Sequence, residues 1–196
     1  MTALLDAQTR LQAEADEIVR DLQLEQLLDS IGQPIRVGSS AMGLMVRRDI
    51  DITIICPRLD PDTLKAFADI GAHLMQQTTS VASVRFRNDT GAWNTEPAKY
   101  PDGLYLGLTV RAANEAIWTF DIWAVDQPER QPDLAHLKSL LPRITAAHRE
   151  AILRIKQVLA DRPKGTDAIP SALVYEAVVD HGIQTVEQFE IWYRDR

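Results

Sequence analysis

The chain has 196 residues, of which 45% are hydrophobic and 25% are charged. This length can bury a core without disulfides or a structural metal, and this composition excludes a disordered or low-complexity chain. Cys56 is the single cysteine, which excludes an internal disulfide, and the net charge of -7 argues against a general electrostatic grip on nucleic acid or on an anionic membrane. No signal-peptide pattern and no apolar run of about 20 residues is present in the sequence, so we expect a cytoplasmic protein with no membrane partner.

The first part of the chain changes repeatedly between helical and strand patterns. Apolar residues recur at helical spacing through the first 30 positions, where acidic residues also concentrate, and this indicates an acidic amphipathic helix. Further on, Asp60 before Pro61 supplies an N-cap and a first-turn proline. In chain order we predict a helix over residues 3 to 30, with a break near Arg20 left open, a strand over 34 to 37, a turn and brief helix over 38 to 44, a strand over 49 to 56 and a helix over 61 to 76.

β-Branched and aromatic residues dominate three runs in the middle of the chain, and helical spacing returns from position 133. We predict strands over 81 to 87, 104 to 111 and 117 to 125, with a hairpin connection at 112 to 115 and, at 88 to 103, a loop long enough to be functional. We then predict helices over about 133 to 140 and 142 to 160, a loop around 162 to 166, a helix that Pro170 opens and Gly182 ends, and a helix with a capping box of Thr185 and Gln188.

Three aspartates are predicted to share one face of the sheet. Isoleucines alternate with Asp49 and Asp51, so both carboxylates project from one strand face with their Cα atoms roughly 6.5 to 7 Å apart. Asp121 alternates with apolar residues in its own strand in the same way. Mg²⁺ prefers a few carboxylates plus water and phosphate oxygens, and three strand carboxylates can hold two divalent ions about 3.5 to 4 Å apart. These aspartates are therefore the candidate metal ligands and catalytic residues.

A candidate phosphate site precedes the first two aspartates. Gly38 allows close approach of the backbone to a ligand. Ser39 and Ser40 place a hydroxyl and free N–H groups at the start of a brief helix, an arrangement that suits a phosphate. Gly38, Ser39 and Ser40 are therefore the candidate nucleotide-binding residues.

Taken together, these residues resemble a known family. Gly-Ser-x-Ala-x-Gly at positions 38 to 43, followed by Asp-Ile-Asp-Ile at 49 to 52, is similar to the signature of the DNA polymerase beta-like nucleotidyltransferase superfamily, particularly its minimal prokaryotic members. The resemblance covers roughly residues 30 to 125. It implies that Gly38 and Ser39 contact the triphosphate, that Asp49 and Asp51 hold both metals, and that Asp121 completes the site as a ligand and base. Met42 stands where the family often has a basic or polar residue, which leaves open the side chain that neutralises the triphosphate.

Several other residues have two open interpretations. Trp123 shares the face of Asp121, where it either stacks on a base or an acceptor or simply packs. Tyr175 and Glu176 either border an acceptor pocket or have core and surface roles. Basic residues that either meet an anionic ligand or only solubilise the chain are Arg85, Arg87, Lys99 and Arg111, and Arg47 and Arg48 fit no motif. The four histidines show no metal-ligand spacing.

The sequence thus predicts an α+β fold with a small mixed sheet of the polymerase beta-like type, flanked by helices. We expect a nucleotidyltransferase domain with an N-terminal helix over residues 1 to 131 and a helical C-terminal region over 132 to 196. The resemblance implies transfer of a nucleoside monophosphate from an NTP to an acceptor hydroxyl with two Mg²⁺ ions, Mn²⁺ being an alternative. A small hydroxylated acceptor is the first expectation, a protein side chain or a tRNA end remains open, and the acidic charge argues against a long nucleic acid. The alternatives are a nucleotide-binding or partner-binding module of a toxin-antitoxin type pair, and a helical interaction protein in which the sheet motif is accidental.

Overall fold

The computed structural model describes residues 3–162 and 169–196. The strands are β1 (Gln33–Val37), β2 (Asp49–Ile55), β3 (Val81–Asp89), β4 (Gly103–Arg111) and β5 (Ile117–Val125). The helices are α1 (Ala3–Asp21), α2 (Leu24–Asp29), α3 (Gly38–Met42), α4 (Pro61–Met75), α5 (Pro132–Leu140), α6 (Ala146–Ala160), α7 (Ser171–Val179) and α8 (Val186–Arg194). This confirms the predicted α+β class, with helices before the first strand and after the last strand along the chain.

The five strands form one mixed sheet in the order β1-β2-β5-β4-β3. Strands β2 and β5 run parallel, whereas the other neighbouring pairs are antiparallel. The predicted hairpin between β4 and β5 is confirmed, and its turn contains Glu115 with a φ of 64°. The sheet therefore places β2 and β5, the two strands that carry the candidate carboxylates, side by side in its middle.

One hydrophobic core lies between the sheet and helices α1, α2 and α4. The predicted alternation holds, because Ile50, Ile52 and Ile54 of β2 are buried in this core with Trp118 and Phe120 of β5. Burial of such side chains contributes about 1.5 to 3 kcal/mol each. The opposite face of the same strands is left to the polar residues that concern the site.

A second hydrophobic core lies among α3 and the helices after the sheet. Leu44, Ile152, Val174 and Phe189 are buried in it, and the chain from α5 onward contributes most of its other members. Two separate cores are consistent with the expected change in organisation near residue 131, although the boundary itself stays a prediction.

Local signals in the sequence account for several of the helix ends. Asp60 accepts a hydrogen bond from the Thr63 N–H, and Thr185 forms the predicted capping box with Gln188. The break between α1 and α2 falls at Gln23, which adopts a φ of 50°. That position lies close to the break left open near Arg20.

Two predicted helix limits are wrong. The helix predicted from position 142 begins at Ala146, because Leu141–Arg143 form a 3₁₀ turn and Thr145 then supplies a new capping box. The helix predicted to end at Gly182 ends at Val179, and Gly182 instead provides the left-handed turn that follows, with a φ of 66°.

Two loops complete the chain. The loop predicted at 88 to 103 is shorter in the structure, because β3 continues to Asp89 and β4 begins at Gly103. It contains one short 3₁₀ turn, Gly91–Trp93. The loop predicted around 162 to 166 lies, apart from Arg162, outside the described residues. In the described parts of the chain, no helix combines the length and the apolarity that crossing a bilayer requires.

Candidate active site

Strand register brings the three predicted aspartates to one face of the sheet. Asp49 and Asp51 lie on β2, and Asp51 is the direct cross-strand neighbour of Asp121 on β5. Neighbouring strands are about 4.8 Å apart, so these two carboxylates start from adjacent backbone positions. Asp49 lies opposite Thr119, whose hydroxyl donates a 2.7 Å hydrogen bond to its carboxylate.

The carboxylates of β2 are partly buried and repel one another. Burial is the largest cause that raises the pKa of Asp51 to about 7, and the charges of Asp49, Asp133 and Asp121 add to this rise in that order, against the lowering effect of Lys156. Burial also raises the pKa of Asp49, against the lowering effect of its hydrogen bond from Thr119. The face therefore carries negative charge that is poorly compensated within the chain.

Asp133 is a fourth carboxylate at this face, and sequence reasoning did not single it out. It lies in the first turn of α5, where the Gln131 amide donates a 3.3 Å hydrogen bond to it. Burial raises its pKa, while His136 acts in the lowering direction. In sequence it resembles an ordinary acidic residue at a helix start, so only the packing of α5 against the site identifies it.

Asp121 has partners of its own on the far side of the site. The Tyr105 hydroxyl donates a short hydrogen bond to its carboxylate, and Arg85 donates a 2.8 Å hydrogen bond to that hydroxyl. Asp121 does not line the cleft described below, although it neighbours residues that do. Within residues 3–162 and 169–196, no three histidine, cysteine, aspartate or glutamate side chains are already drawn together as a metal centre.

Lys156 of α6 supplies the positive charge that the sequence left unassigned. It is 8% exposed, and its Nζ donates to the Leu44 carbonyl at 2.8 Å and to the Tyr175 hydroxyl at 3.2 Å. Burial lowers the pKa of Lys156 to about 8, while the charges of Asp51 and Asp49 act to raise it. A lysine at helical spacing looks like a surface residue in sequence, which is why it was missed. Tyr175 is buried beside it, whereas Glu176 forms a surface ion pair with Arg196 at 2.8 Å.

The predicted phosphate residues separate into two groups. Gly38 has a φ of 60°, and a Cβ at this position would overlap the carboxylate of Asp51, so glycine is required there. Ser39 lines the cleft beside it. Ser40, in contrast, is buried and its hydroxyl donates to the Val37 carbonyl at 3.3 Å. Ser40 therefore does not line the cleft, because the short helix α3 turns its side chain inward, and its role in ligand binding stays a prediction.

A cleft of about 1510 Å³ opens over these residues. One wall comes from the second core and includes Lys156, Tyr175 and Ser171, while the sheet and the loop at 88 to 103 supply the other. Asp49, Asp51 and Asp133 lie between the two walls. Binding clefts commonly measure about 300 to 1,000 Å³, so this one has room for more than a single small ligand.

The remaining basic candidates have different positions. Arg47 lines the cleft and donates a 3.3 Å hydrogen bond to the Ala160 carbonyl, whereas Arg48 pairs with Glu14 outside it. Arg87 and Lys99 line the sheet-side wall. Arg111 pairs with Glu115 at the hairpin and is away from the cleft.

The donor set fits a divalent cation. Among the described residues, none of the four carboxylates Asp49, Asp51, Asp121 and Asp133 has a salt-bridge partner. Hard oxygen ligands of this kind suit Mg²⁺ or Mn²⁺, and a cation here would relieve the repulsion that raises the pKa of Asp51.

Comparison with known proteins yields matches of fold. No protein-family model and no curated protein matches the chain. A cytoplasmic RNA terminal U-transferase is 14% identical with a TM-score of 0.47, Cid1 in complex with its short product ApU is 11% identical with a TM-score of 0.49, and CdnC of E. coli MS115-1 with ATP is 16% identical with a TM-score of 0.41.

The matches cover 78, 86 and 92% of this chain but 41, 48 and 60% of those three chains, respectively. The chain thus spans about half the length of the solved structures that it resembles. At these identities the likeness is one of fold, and the chemistry of this chain has to follow from its own side chains.

Proposed function

We propose that this chain is a metal-dependent nucleotidyltransferase that moves a nucleoside monophosphate from an NTP to an acceptor hydroxyl. The observation that carries the proposal is the meeting of Asp49 and Asp51 with the buried Lys156 at the cleft, next to Gly38 and Ser39. Crowded carboxylates need cations, and a buried ammonium beside them needs anions. An NTP with its divalent cations supplies both.

In the proposed reaction the acceptor oxygen attacks the α-phosphorus of the NTP. A new bond forms between the acceptor oxygen and the α-phosphorus. The bond between the α-phosphorus and the oxygen that bridges to the β-phosphate breaks, and pyrophosphate leaves. Asp121 accepts the proton of the acceptor hydroxyl. When bound, two Mg²⁺ or Mn²⁺ ions neutralise charge on the attacking and leaving oxygens, which is the main requirement of phosphoryl transfer.

The chain's own residues then have distinct tasks. Asp49 and Asp51 would hold the cations, with Asp121 as the third ligand once its carboxylate turns from Tyr105. Lys156 and Ser39 lie where the triphosphate enters, and the Lys156 ammonium is a point charge of the kind that binds phosphate. The missing side chain at Gly38 leaves room for the Asp51 carboxylate to lie against the backbone just before Ser39.

The wider expectations become part of the same proposal. We assign the transfer domain to residues 1 to 131 and the helical region to 132 to 196, with the cleft formed between them. The acidic net charge of -7 favours a small acceptor in a cytoplasmic setting over a long nucleic acid.

A second candidate function is a module that binds nucleotide without transferring it. The observation that favours this alternative is the engagement of Asp121 with Tyr105, away from the cleft wall. A partner-binding role in a toxin-antitoxin type pair would fit that candidate, with the acidic helix α1 as the contact surface.

One experiment separates the two candidates. Each of the four NTPs, labelled at the α-phosphate, is incubated with the protein, Mg²⁺ and cell extract, and labelled products and bound nucleotide are measured. We expect label transfer by the wild type and a loss of at least about a hundredfold in Asp51→Asn, because one cation ligand is removed. The matched control is Asp62→Asn, an exposed carboxylate in the first turn of α4. Bound nucleotide without transfer would favour the binding module, and no Mg²⁺-dependent binding at all would contradict both.

A further inference from the structure

An aromatic row lies next to the carboxylate row on the same face of the sheet. In register, Arg87 of β3 pairs with Tyr105 of β4, which pairs with Trp123 of β5. Trp123 is two positions after Asp121 on one strand, so the Cα atoms of these two residues lie roughly 6.5 to 7 Å apart on the same face. The row is therefore a direct continuation of the proposed active site.

Two glycines of β4 let the rings of this row lie close to the sheet. A Cβ on Gly103 would be 3.1 Å from Cε3 of Trp123, and a Cβ on Gly107 would be 2.6 Å from the Tyr105 hydroxyl. The Tyr105 and Trp123 rings contact each other, with centroids 5.1 Å apart. Glycine has little reason to occur in a strand interior unless something approaches the backbone, and here the rings of the row do so.

Arg87 covers these rings from the cleft side. Its guanidinium carbon lies 4.9 Å from the Tyr105 centroid and 5.1 Å from the Trp123 centroid. The side chain remains 53% exposed although it pairs with Asp89 at 2.9 Å. The surface offered to the cleft is thus a guanidinium plane beside the Trp123 ring.

Trp93 completes this surface from the loop at 88 to 103. It is 71% exposed and lines the same cleft as Arg87 and Trp123. The loop is held in place by Asp102, which accepts hydrogen bonds from the Gly91 N–H at 2.9 Å and from the Asn94 amide at 3.1 Å. Exposure of a large aromatic side chain on a held loop costs hydrophobic free energy unless a ligand covers it.

This surface lies on the opposite side of the carboxylates from Lys156. Lys156 bonds to Leu44, just before β2, whereas Arg87 and Tyr105 belong to β3 and β4 at the other end of the sheet order. With the triphosphate near Lys156, the aromatic surface is left for the second substrate. The cleft of about 1510 Å³ is large enough for both.

We propose that Trp93, Trp123 and Arg87 form an acceptor subsite that takes a nucleotide by stacking its base. This inference rests on the proposed function and names its second substrate class. Planar bases stack on aromatic rings and on guanidinium planes alike, so a base can use both kinds of surface that this part of the cleft offers. Arg87 and the neighbouring Lys99 place cations where the phosphate of such an acceptor would lie.

The test measures a second nucleotide on a chain whose donor site is filled. The protein is saturated with Mg²⁺ and an ATP analogue that has a methylene group between the α- and β-phosphates, and labelled AMP is added in equilibrium dialysis. We expect one AMP per chain beyond the analogue, with affinity about tenfold or more lower in Trp93→Ala and in Trp123→Leu. Trp123→Phe keeps a stacking ring and should retain most of the affinity. The matched control is Tyr193→Ala, a 39% exposed aromatic residue of α8 outside the cleft, which should bind AMP like the wild type.

Further ligands identify which part of the nucleotide the subsite binds. Ribose 5-phosphate, which lacks the base, should bind at least about tenfold more weakly than AMP. Comparison of AMP with a tetra-adenylate distinguishes a free nucleotide from an RNA end, and tighter binding of either supports a nucleotide subsite. Equal affinity for ribose 5-phosphate and AMP, unchanged affinity in both tryptophan variants, or binding of the analogue without AMP would overturn the inference while leaving the proposed function intact. Failure of the analogue itself to bind would contradict the proposed function and this subsite with it.

Discussion

The crowding of Asp51 leads to a prediction about stability that needs no substrate. In metal-free protein, Asp51→Asn should increase the free energy of unfolding at neutral and alkaline pH. The reason is that the wild type must keep an ionised carboxylate in a partly buried place beside Asp49, whereas asparagine brings no charge.

The direction and size of this effect follow from the pKa of Asp51. It rises from an ordinary value of 3.8 to about 7 on folding, so the folded state binds the proton more tightly than the unfolded state. Stability therefore decreases as the pH rises from about 4 to about 7, and the full effect is present above that range. Three pKa units correspond to at most about 4 kcal/mol. The advantage of the variant should thus be about 0.5 kcal/mol at pH 4, about 1.5 kcal/mol at pH 5 and at most about 4 kcal/mol at pH 8.

Urea denaturation in EDTA at pH 5, 6, 7 and 8 tests this prediction. The quantity of interest is the difference between variant and wild type at each pH, because groups that titrate away from this site affect both proteins alike. Addition of Mg²⁺ at pH 8 should stabilise the wild type more than the variant, since the ion binds the folded carboxylates. A difference that stays constant from pH 5 to pH 8, or an Asp62→Asn control with the same pH trend, would refute the assignment of the effect to Asp51.

Two further predictions concern the triphosphate. Ser39→Ala should weaken binding of an NTP much more than binding of the corresponding NMP, because the hydroxyl would face the β- or γ-phosphate. Paired titrations of both ligands in Mg²⁺ measure this difference. An equal loss of affinity for both ligands would reduce Ser39 to a structural role. Lys156→Met should lower NTP affinity at least about tenfold in the same titrations, since it removes the buried positive charge next to Asp51. Circular dichroism checks that the variant is still folded. Unchanged affinity would place the triphosphate elsewhere in the cleft, with Arg47 the next residue to test.

The sequence carried much of the fold because the strands alternate strongly. Apolar and polar residues alternate clearly along β2 and β5, so the faces of Asp51 and Asp121 could be predicted correctly. Helix limits near Pro142 and Gly182 were less well predicted, because a proline or a glycine can belong to a helix end or to the turn beside it. The order of the strands in the sheet could not be predicted from the apolar pattern, since nothing local in the sequence shows that β5 lies between β2 and β4.

The candidate site was predictable where a short motif or a clearly alternating strand, such as that of Asp121, contains it. Gly38, Ser39, Asp49 and Asp51 lie within one turn-and-strand unit, and their spacing is visible in sequence. Lys156 and Asp133 reach the site from helices of the later chain, where each looks like an ordinary charged residue. Their roles depend on how α5 and α6 pack, which periodicity cannot show.

The parallel pairing of β2 with β5 also has a consequence for the order in which the protein folds. Asp51 and Asp121 meet only when β5 aligns beside β2, and the whole of α4, β3 and β4 separates these strands in the chain. Contacts between such distant segments form slowly because a long loop must close first. A nascent chain that has emerged only through β4 would therefore hold Asp49 and Asp51 without their cross-strand neighbour. A slip of β5 by one residue would turn Asp121 to the hydrophobic side, so the three aspartates would come together late in folding and in a single register.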